Sequence, residues 1–254
     1  MIFQLARNGR EEIALGDTKL TFKRMEKKYL LSREQYEKLF AALEEHIEPD
    51  LYFRSTVCSL YYDTDDFSLI RHSIEAPVYK EKLRLRSYGV PGEDDTVFIE
   101  LKKKYKGMVY KRRLAMDAKT AAAYLAGEAR PPESSQMTKE IDWFLRQNRV
   151  GPKAFIACDR TAWVAKDDPE LRITFDENLR WRETELDLTR GSAGERLTEP
   201  GCVLMEIKIP GTAPLWLARL LSEQALFPAS FSKYGTCYRN HILGEYFNGV
   251  IECV

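Results

Sequence analysis

The sequence has no surplus of charge of either sign. Its 39 lysines and arginines are balanced by 39 aspartates and glutamates, giving a formal net charge of zero at pH 7. That argues against a chain held to nucleic acid by a broad basic surface, while leaving room for a local basic pocket. No apolar run approaches the length of a membrane span, and Met1 to Arg10 lacks the marks of a signal peptide. The expectation is a soluble, cytoplasmic chain with no membrane segment of its own. Cysteine pairs are also missing. The five cysteines, Cys58, Cys158, Cys202, Cys237 and Cys253, form no C-x-x-C pair, and an odd count without a secretion signal favours reduced thiols. The three histidines, His46, His72 and His241, lie far apart and form no H-x-x-x-H pattern, so no thiolate or imidazole metal centre is expected. No phosphate loop of the G-x-G-x-x-G or G-x-x-x-x-G-K-[ST] type is present, and no nucleophile elbow, internal repeat or low-complexity stretch.

What the chain does contain is organised around Tyr79 to Arg86, Y-K-E-K-L-R-L-R. Lys80, Lys82, Arg84 and Arg86 fall at every second position with Leu83 and Leu85 between them. On a strand the cations line one face and the leucines the other. For one strand alone, a solvated polar face accounts for this. Repetition changes the balance, because other segments carry charge where strand periodicity turns it to the same side.

Residues 1–20 are weakly patterned and read as a lead-in, with residues 21–254 as a single domain. Strands are expected at Thr21 to Leu31, Thr56 to Tyr62, Thr96 to Lys104, Val109 to Met116, Ala154 to Val164, Leu171 to Phe175 and Cys202 to Ile209. A further strand is expected between Trp181 and Leu188, and a mobile loop over Thr189 to Gly201. Helices are expected at Ser32 to Ile47, opened by the capping box of Ser32 and Gln35, at Asp117 to Leu125, around Met137 to Asn148, and at Pro214 to Leu226. Asp63, Asp65 and Asp66 read as strand-terminating and helix-capping residues rather than a metal loop. Antiparallel hairpins with interspersed helices give an α+β chain. Apolar faces turned outward under helices and charged faces turned inward describe a barrel with a charged lumen.

The inward candidates are Lys28, Arg84, Arg86, Lys102, Lys111, Arg160, Arg172, Lys208 and Lys233, with Glu26, Glu100 and Glu206 among them. Like charges in a closed space repel, and a bound anion relieves this. Arginine forks and lysine ammonium groups suit phosphate oxygens. A linear polyanion such as triphosphate, a nucleotide tail or polyphosphate fits such a wall best, with the carboxylates holding Mg²⁺ or Mn²⁺ against it. Nucleic acid fits poorly, since no exposed aromatic platforms accompany the cations.

Read in order, R-x-E-x-K-Y from Arg24, S-L-Y-Y-D-T from Ser59, K-L-R-L-R-S-Y-G from Lys82, E-L-K from Glu100, D-R-T-A from Asp159, M-E-I-K from Met205 and F-S-K-Y-G from Phe231 form a series. With this series the chain resembles the VTC domain, the polyphosphate polymerase branch of the triphosphate tunnel (CYTH-like) metalloenzymes, from about Phe22 to Tyr238. The resemblance implies a closed, eight-stranded antiparallel β-barrel, the tunnel, with helices packed outside. It implies phosphate binding by Lys28, Arg84, Arg86, Lys102, Lys111, Arg160, Arg172 and Lys233, assisted by Ser232, and metal binding by Glu206. Arg84, Arg86, Lys233 and Glu206 are the residues it places at the reaction. That reaction moves the terminal phosphoryl group of ATP onto a polyphosphate chain, with Mn²⁺ or Mg²⁺ as cofactor. Hydrolytic tunnel enzymes open with E-x-E-x-K, and Arg24 replaces the first glutamate here while Glu26 remains. A triphosphate hydrolase and a non-catalytic polyphosphate or inositol pyrophosphate binding module stand as alternatives. In the eukaryotic family the domain belongs to a membrane complex, which implies docking to a separate membrane protein.

Overall fold

The computed structural model describes residues 25–106, 108–131 and 134–243. Arg24 and the expected first residues of the opening strand lie outside them. In chain order the elements are β1 (Met25–Leu31), α1 (Arg33–Leu43), β2 (Ile47–Asp63), α2 (Ser68–Ile74), β3 (Tyr79–Tyr88), β4 (Thr96–Tyr105), β5 (Met108–Asp117), α3 (Ala118–Leu125) and α4 (Gln136–Asn148). There follow β6 (Gly151–Ala165), β7 (Arg172–Arg182), a 3₁₀ turn at Leu188–Arg190, β8 (Glu195–Arg196), β9 (Val203–Ile209), α5 (Leu215–Glu223), α6 (Lys233–Cys237) and a π-helical turn at Tyr238–Ile242.

All strands belong to one nine-stranded sheet in the order β1-β9-β7-β6-β2-β3-β4-β5, with β8 on β7. Every pairing is antiparallel. The sheet curls until Lys102 Nζ on β4 lies 4.0 Å from Glu26 Oε2 on β1. The expected closed barrel is corrected here: among the described residues no ladder joins β1 to β5, and the curled sheet keeps a seam. The segment 229–233 runs from the edge of β1 into the lumen. The Ala229 N–H donates to the Lys28 carbonyl at 2.7 Å, Lys28 Nζ reaches the Phe231 carbonyl at 3.2 Å, and Lys82 Nζ on β3 reaches Ser232 Oγ at 2.9 Å. An exposed strand edge needs cover, and here a crossing segment contributes it.

Alternation sorts the side chains into three apolar clusters. Leu60, Leu83, Leu85, Ile99 and Leu101 pack outward under α3 and α4. Tyr29, Leu31, Phe175, Met205 and Ile207 pack outward under α1 and α5. The third cluster lies on the concave side, where Val57, Tyr61, Ile156, Cys158 and Leu204 meet Ile70 of α2 and Tyr234 and Cys237 of α6. Helices therefore cover the outside, as expected, and two short ones also plug one end of the lumen.

The caps follow the sequence. Ser32 and Gln35 form the capping box, Asp117 accepts from the Thr120 N–H, and Ser135 opens α4. Three expectations need correction. β2 starts at Ile47 rather than Thr56, because the chain runs through Pro49 along β6 with a register irregularity between Pro49 and Arg54. β7 is continuous to Arg182, carried past a register shift opposite Ala157 and Asp159. The stretch from Thr189 is no loose loop: Arg182 Nη1 donates to the Gly191 and Ala193 carbonyls at 3.2 and 2.7 Å, and β8 pairs with β7.

Candidate functional site

The cations of β3 line the concave face because its leucines are needed under α3 and α4. Antiparallel register sets Arg84 opposite Glu100 and Lys82 opposite Lys102 on β4, and Glu100 opposite Arg113 on β5. Glu100 is 1% exposed and takes charge from several sides. Arg84 Nε and Nη2 donate to it at 2.8 and 2.6 Å, Arg113 Nε at 2.8 Å, and Lys111 Nζ lies 2.8 Å away. Burial opposes ionisation, but Arg84, Arg86 and Lys111 outweigh it and hold the carboxyl far below the ordinary glutamate range. Both its oxygens lie against cations, and it anchors Arg84, Lys111 and Arg113 on the wall.

A second anchor is Asp176 on β7, 0% exposed. Arg160 grips it through Nε at 2.6 Å and Nη2 at 2.7 Å, and Lys233 Nζ donates to Oδ2 as well as to Cys158 Sγ, the latter at 3.2 Å. Burial again favours the acid form and is outweighed by Lys233 and Arg160. The sequence reading missed Asp176 because it ended the strand at Phe175. The period-2 series Arg172, Thr174, Asp176 carried the signal. It also left out Arg113 and Lys82, both on faces already recognised as charged, and Tyr61. The Tyr61 hydroxyl accepts from Arg84 Nη1 at 3.3 Å, and its ring stacks on Tyr234 with centroids 4.8 Å apart.

The third group lies on β1 and β9, where Lys28 pairs with Glu206 and Glu26 with Lys208 in register. Lys28 Nζ is 3.4 Å from Glu26 Oε1 and 3.8 Å from Glu206 Oε2, and Lys208 Nζ is 3.2 Å from Glu206 Oε1. Burial pushes Glu206 up, but Lys208, Lys28, Arg160 and Lys233 bring it down to about 2. Arg172 sits apart at the rim, half exposed, 3.4 Å from Asp50 Oδ2. Ser232 caps α6, accepting from the Gly235 N–H. A Cβ on Gly235 would lie 3.2 Å from Ser232 Cβ and 3.3 Å from its Oγ, a tight fit against the capping serine.

Among the described residues no three His, Cys, Asp or Glu side chains converge on a point. Glu26 and Glu206 both lie close to Lys28 Nζ, at 3.4 and 3.8 Å. Two carboxylates and the oxygens of a bound phosphate make a donor set that suits Mg²⁺ or Mn²⁺, which keep few protein ligands. Among the described residues the wall holds no histidine. Its cations, fixed in place on buried carboxylates, make an arrangement able to hold a multiply charged anion.

Residues 23–241 match the family described as the VTC domain. Two relatives are each named Vacuolar transporter chaperone complex subunit 4. That of Trypanosoma brucei brucei is 26% identical over 155 residues, 50% of this chain and 20% of the relative. That of Schizosaccharomyces pombe is 24% identical over 197 residues, 65% of this chain and 27% of the relative. The chain thus spans between 20% and 27% of the length of these relatives. A crystal structure named a "putative adenylate cyclase", from Bacillus halodurans, superposes with a TM-score of 0.52 at 14% identity, covering 88% of this chain and 97% of its own. The two chains share a fold.

Proposed function

The chain belongs to the VTC domain family, and from that premise we propose that it is a polyphosphate polymerase. It transfers the terminal phosphoryl group of ATP to the end of a polyphosphate chain and releases ADP. The observation that carries this reading is the concave wall itself, where Arg84, Arg86, Lys111, Arg113, Arg160 and Lys233 are fixed by Glu100 and Asp176. Preset cations neutralise charge in the transition state without reorganising, which is the main requirement of phosphoryl transfer.

In the proposed reaction an oxygen of the terminal phosphate attacks the γ-phosphorus of ATP. The new P–O bond forms as the bond to the β–γ bridging oxygen breaks, and ADP carries that oxygen away. Arg84 and Arg86 hold the transferring group, and Lys233 and Arg160 hold the phosphates on one side of it. Glu26 and Glu206 would hold Mn²⁺ or Mg²⁺, which supplies charge neutralisation to the phosphate oxygens when bound. No side-chain nucleophile is required.

Arg84→Ala and Glu206→Ala are each expected to slow ATP-dependent chain growth by about 100-fold, the scale of losing one preorganised charge. Growth at wild-type rates in both variants contradicts the reading. The relatives are named as subunits of a complex, and no helix among the described residues is long and apolar enough to cross a membrane. The relatives' place in a complex supports, as part of this reading, docking to another protein of such a complex.

A further inference from the structure

Lys82 stands out among the cations of the wall. Arg84, Lys111 and Arg113 share Glu100, Arg160 and Lys233 share Asp176, and Lys28 lies against Glu26 and Glu206. Among the described residues Lys82 has a single polar contact, the Ser232 hydroxyl at 2.9 Å, and no carboxylate partner. The charges that act on it most strongly are of its own sign: Lys80 and Arg84 on β3, Lys102 opposite it on β4, and Lys28 on β1. The carboxylate nearest to this group, Glu26, is directed at Lys28 and Lys102. Ser232 Oγ already accepts from Lys82 and from the Gly235 N–H, so its own proton is free to be donated. An ammonium has three protons, and two of those on Lys82 are left for another acceptor.

We propose that Lys82 is a substrate-binding residue that, with Lys28, Lys102 and the Ser232 hydroxyl, forms a subsite for one phosphate of a linear polyphosphate chain. Its lysines come from β1, β3 and β4, and the segment 229–233 braces two of them. The proposal rests on the polyphosphate reading and deepens it. An unneutralised cation among like charges costs free energy in the empty protein, and a phosphate entering the group removes that cost.

A proton-linkage follows. Burial, then repulsion from Lys80, Lys28, Lys102 and Arg84, bring Lys82 down to about 7. A bound phosphate restores the charged form. The anion therefore binds at full strength below pH 7, and its binding weakens as pH rises above 7. At pH 8, Lys82 takes up about one proton on binding. Lys111, lowered to about 8 by burial and set against Glu100, adds a smaller share.

The test is calorimetric titration of the full chain with inorganic tripolyphosphate at pH 8, in buffers of different ionisation enthalpy. Lys82→Arg is expected to bind within a few-fold of wild type while taking up about one proton fewer. Lys82→Met is expected to bind about 10- to 100-fold more weakly and to show the same loss of proton uptake. Unchanged proton uptake in Lys82→Arg overturns the proposal, whether or not Lys82→Met folds, and so does wild-type affinity in a folded Lys82→Met. The functional reading fails separately, if triphosphate binds as described but no chain grows from ATP.

Discussion

At the residue scale two buried carboxylates, Glu100 and Asp176, hold the cations of the wall. The folded-state pKa of Glu100 lies far below its unfolded value. Its contribution to stability is therefore complete above the ordinary glutamate range, about 4.3, and is lost as pH falls below it. Asp176 behaves alike, and Glu206 titrates at about 2. Urea unfolding should show stability falling steeply between about pH 5 and pH 2. Glu100→Gln should cost about 3–5 kcal/mol at pH 7, because it leaves buried cations uncompensated, and should flatten that acid limb. An acid limb of unchanged depth in Glu100→Gln would contradict the assignment. Arg84, Arg86 and Lys111 could be read directly from strand alternation. The role of Glu100 could not, because which cations reach a carboxylate depends on cross-strand register, which the spacing of one strand does not reveal.

At the scale of elements, the lumen floor is the point to test. Asp63 is buried at the end of β2 and accepts from the Leu69 N–H at 3.0 Å, the Ile70 N–H at 3.0 Å and the Tyr234 hydroxyl at 3.0 Å. One carboxylate thus starts α2 and ties α6 to it. Tyr234→Phe keeps the stack on Tyr61 and removes one bond to a charged acceptor, so it should lose about 1.5–3 kcal/mol by chemical denaturation. No loss would mean that α6 is held by apolar packing alone. Ser32→Ala, which removes the capping box of α1, should cost about 1 kcal/mol and leave anion binding intact. Caps and hairpins were legible because their signals are local. The full length of β2 was hidden by Pro49, which ends many strands but here precedes an irregularity. The order around Thr189 to Gly201 was hidden because it depends on Arg180 and Arg182, which donate to loop carbonyls from an adjacent strand.

At the scale of the whole molecule, a chain of zero net charge has been folded into one with a strongly basic interior. The alternation that places Leu83 and Leu85 beneath helices places Arg84 and Arg86 in the lumen. The curl of the sheet was legible from that pattern, whereas its closure was not. The segment that leads from the edge of β1 into the lumen carries F-S-K-Y-G, a sequence that does not announce that path. If the wall binds polyanions chiefly by charge, raising salt from about 0.05 to 0.5 M should weaken tripolyphosphate binding by at least about tenfold. Salt-independent binding would point to a different recognition mode. The most direct test is to incubate the purified chain with ATP and Mn²⁺ or Mg²⁺ and separate the products on a gel that resolves polyphosphate by length. A ladder of growing chains with matching release of ADP is the predicted result. Free phosphate without a ladder, or no product from a folded protein that still binds tripolyphosphate, would contradict it.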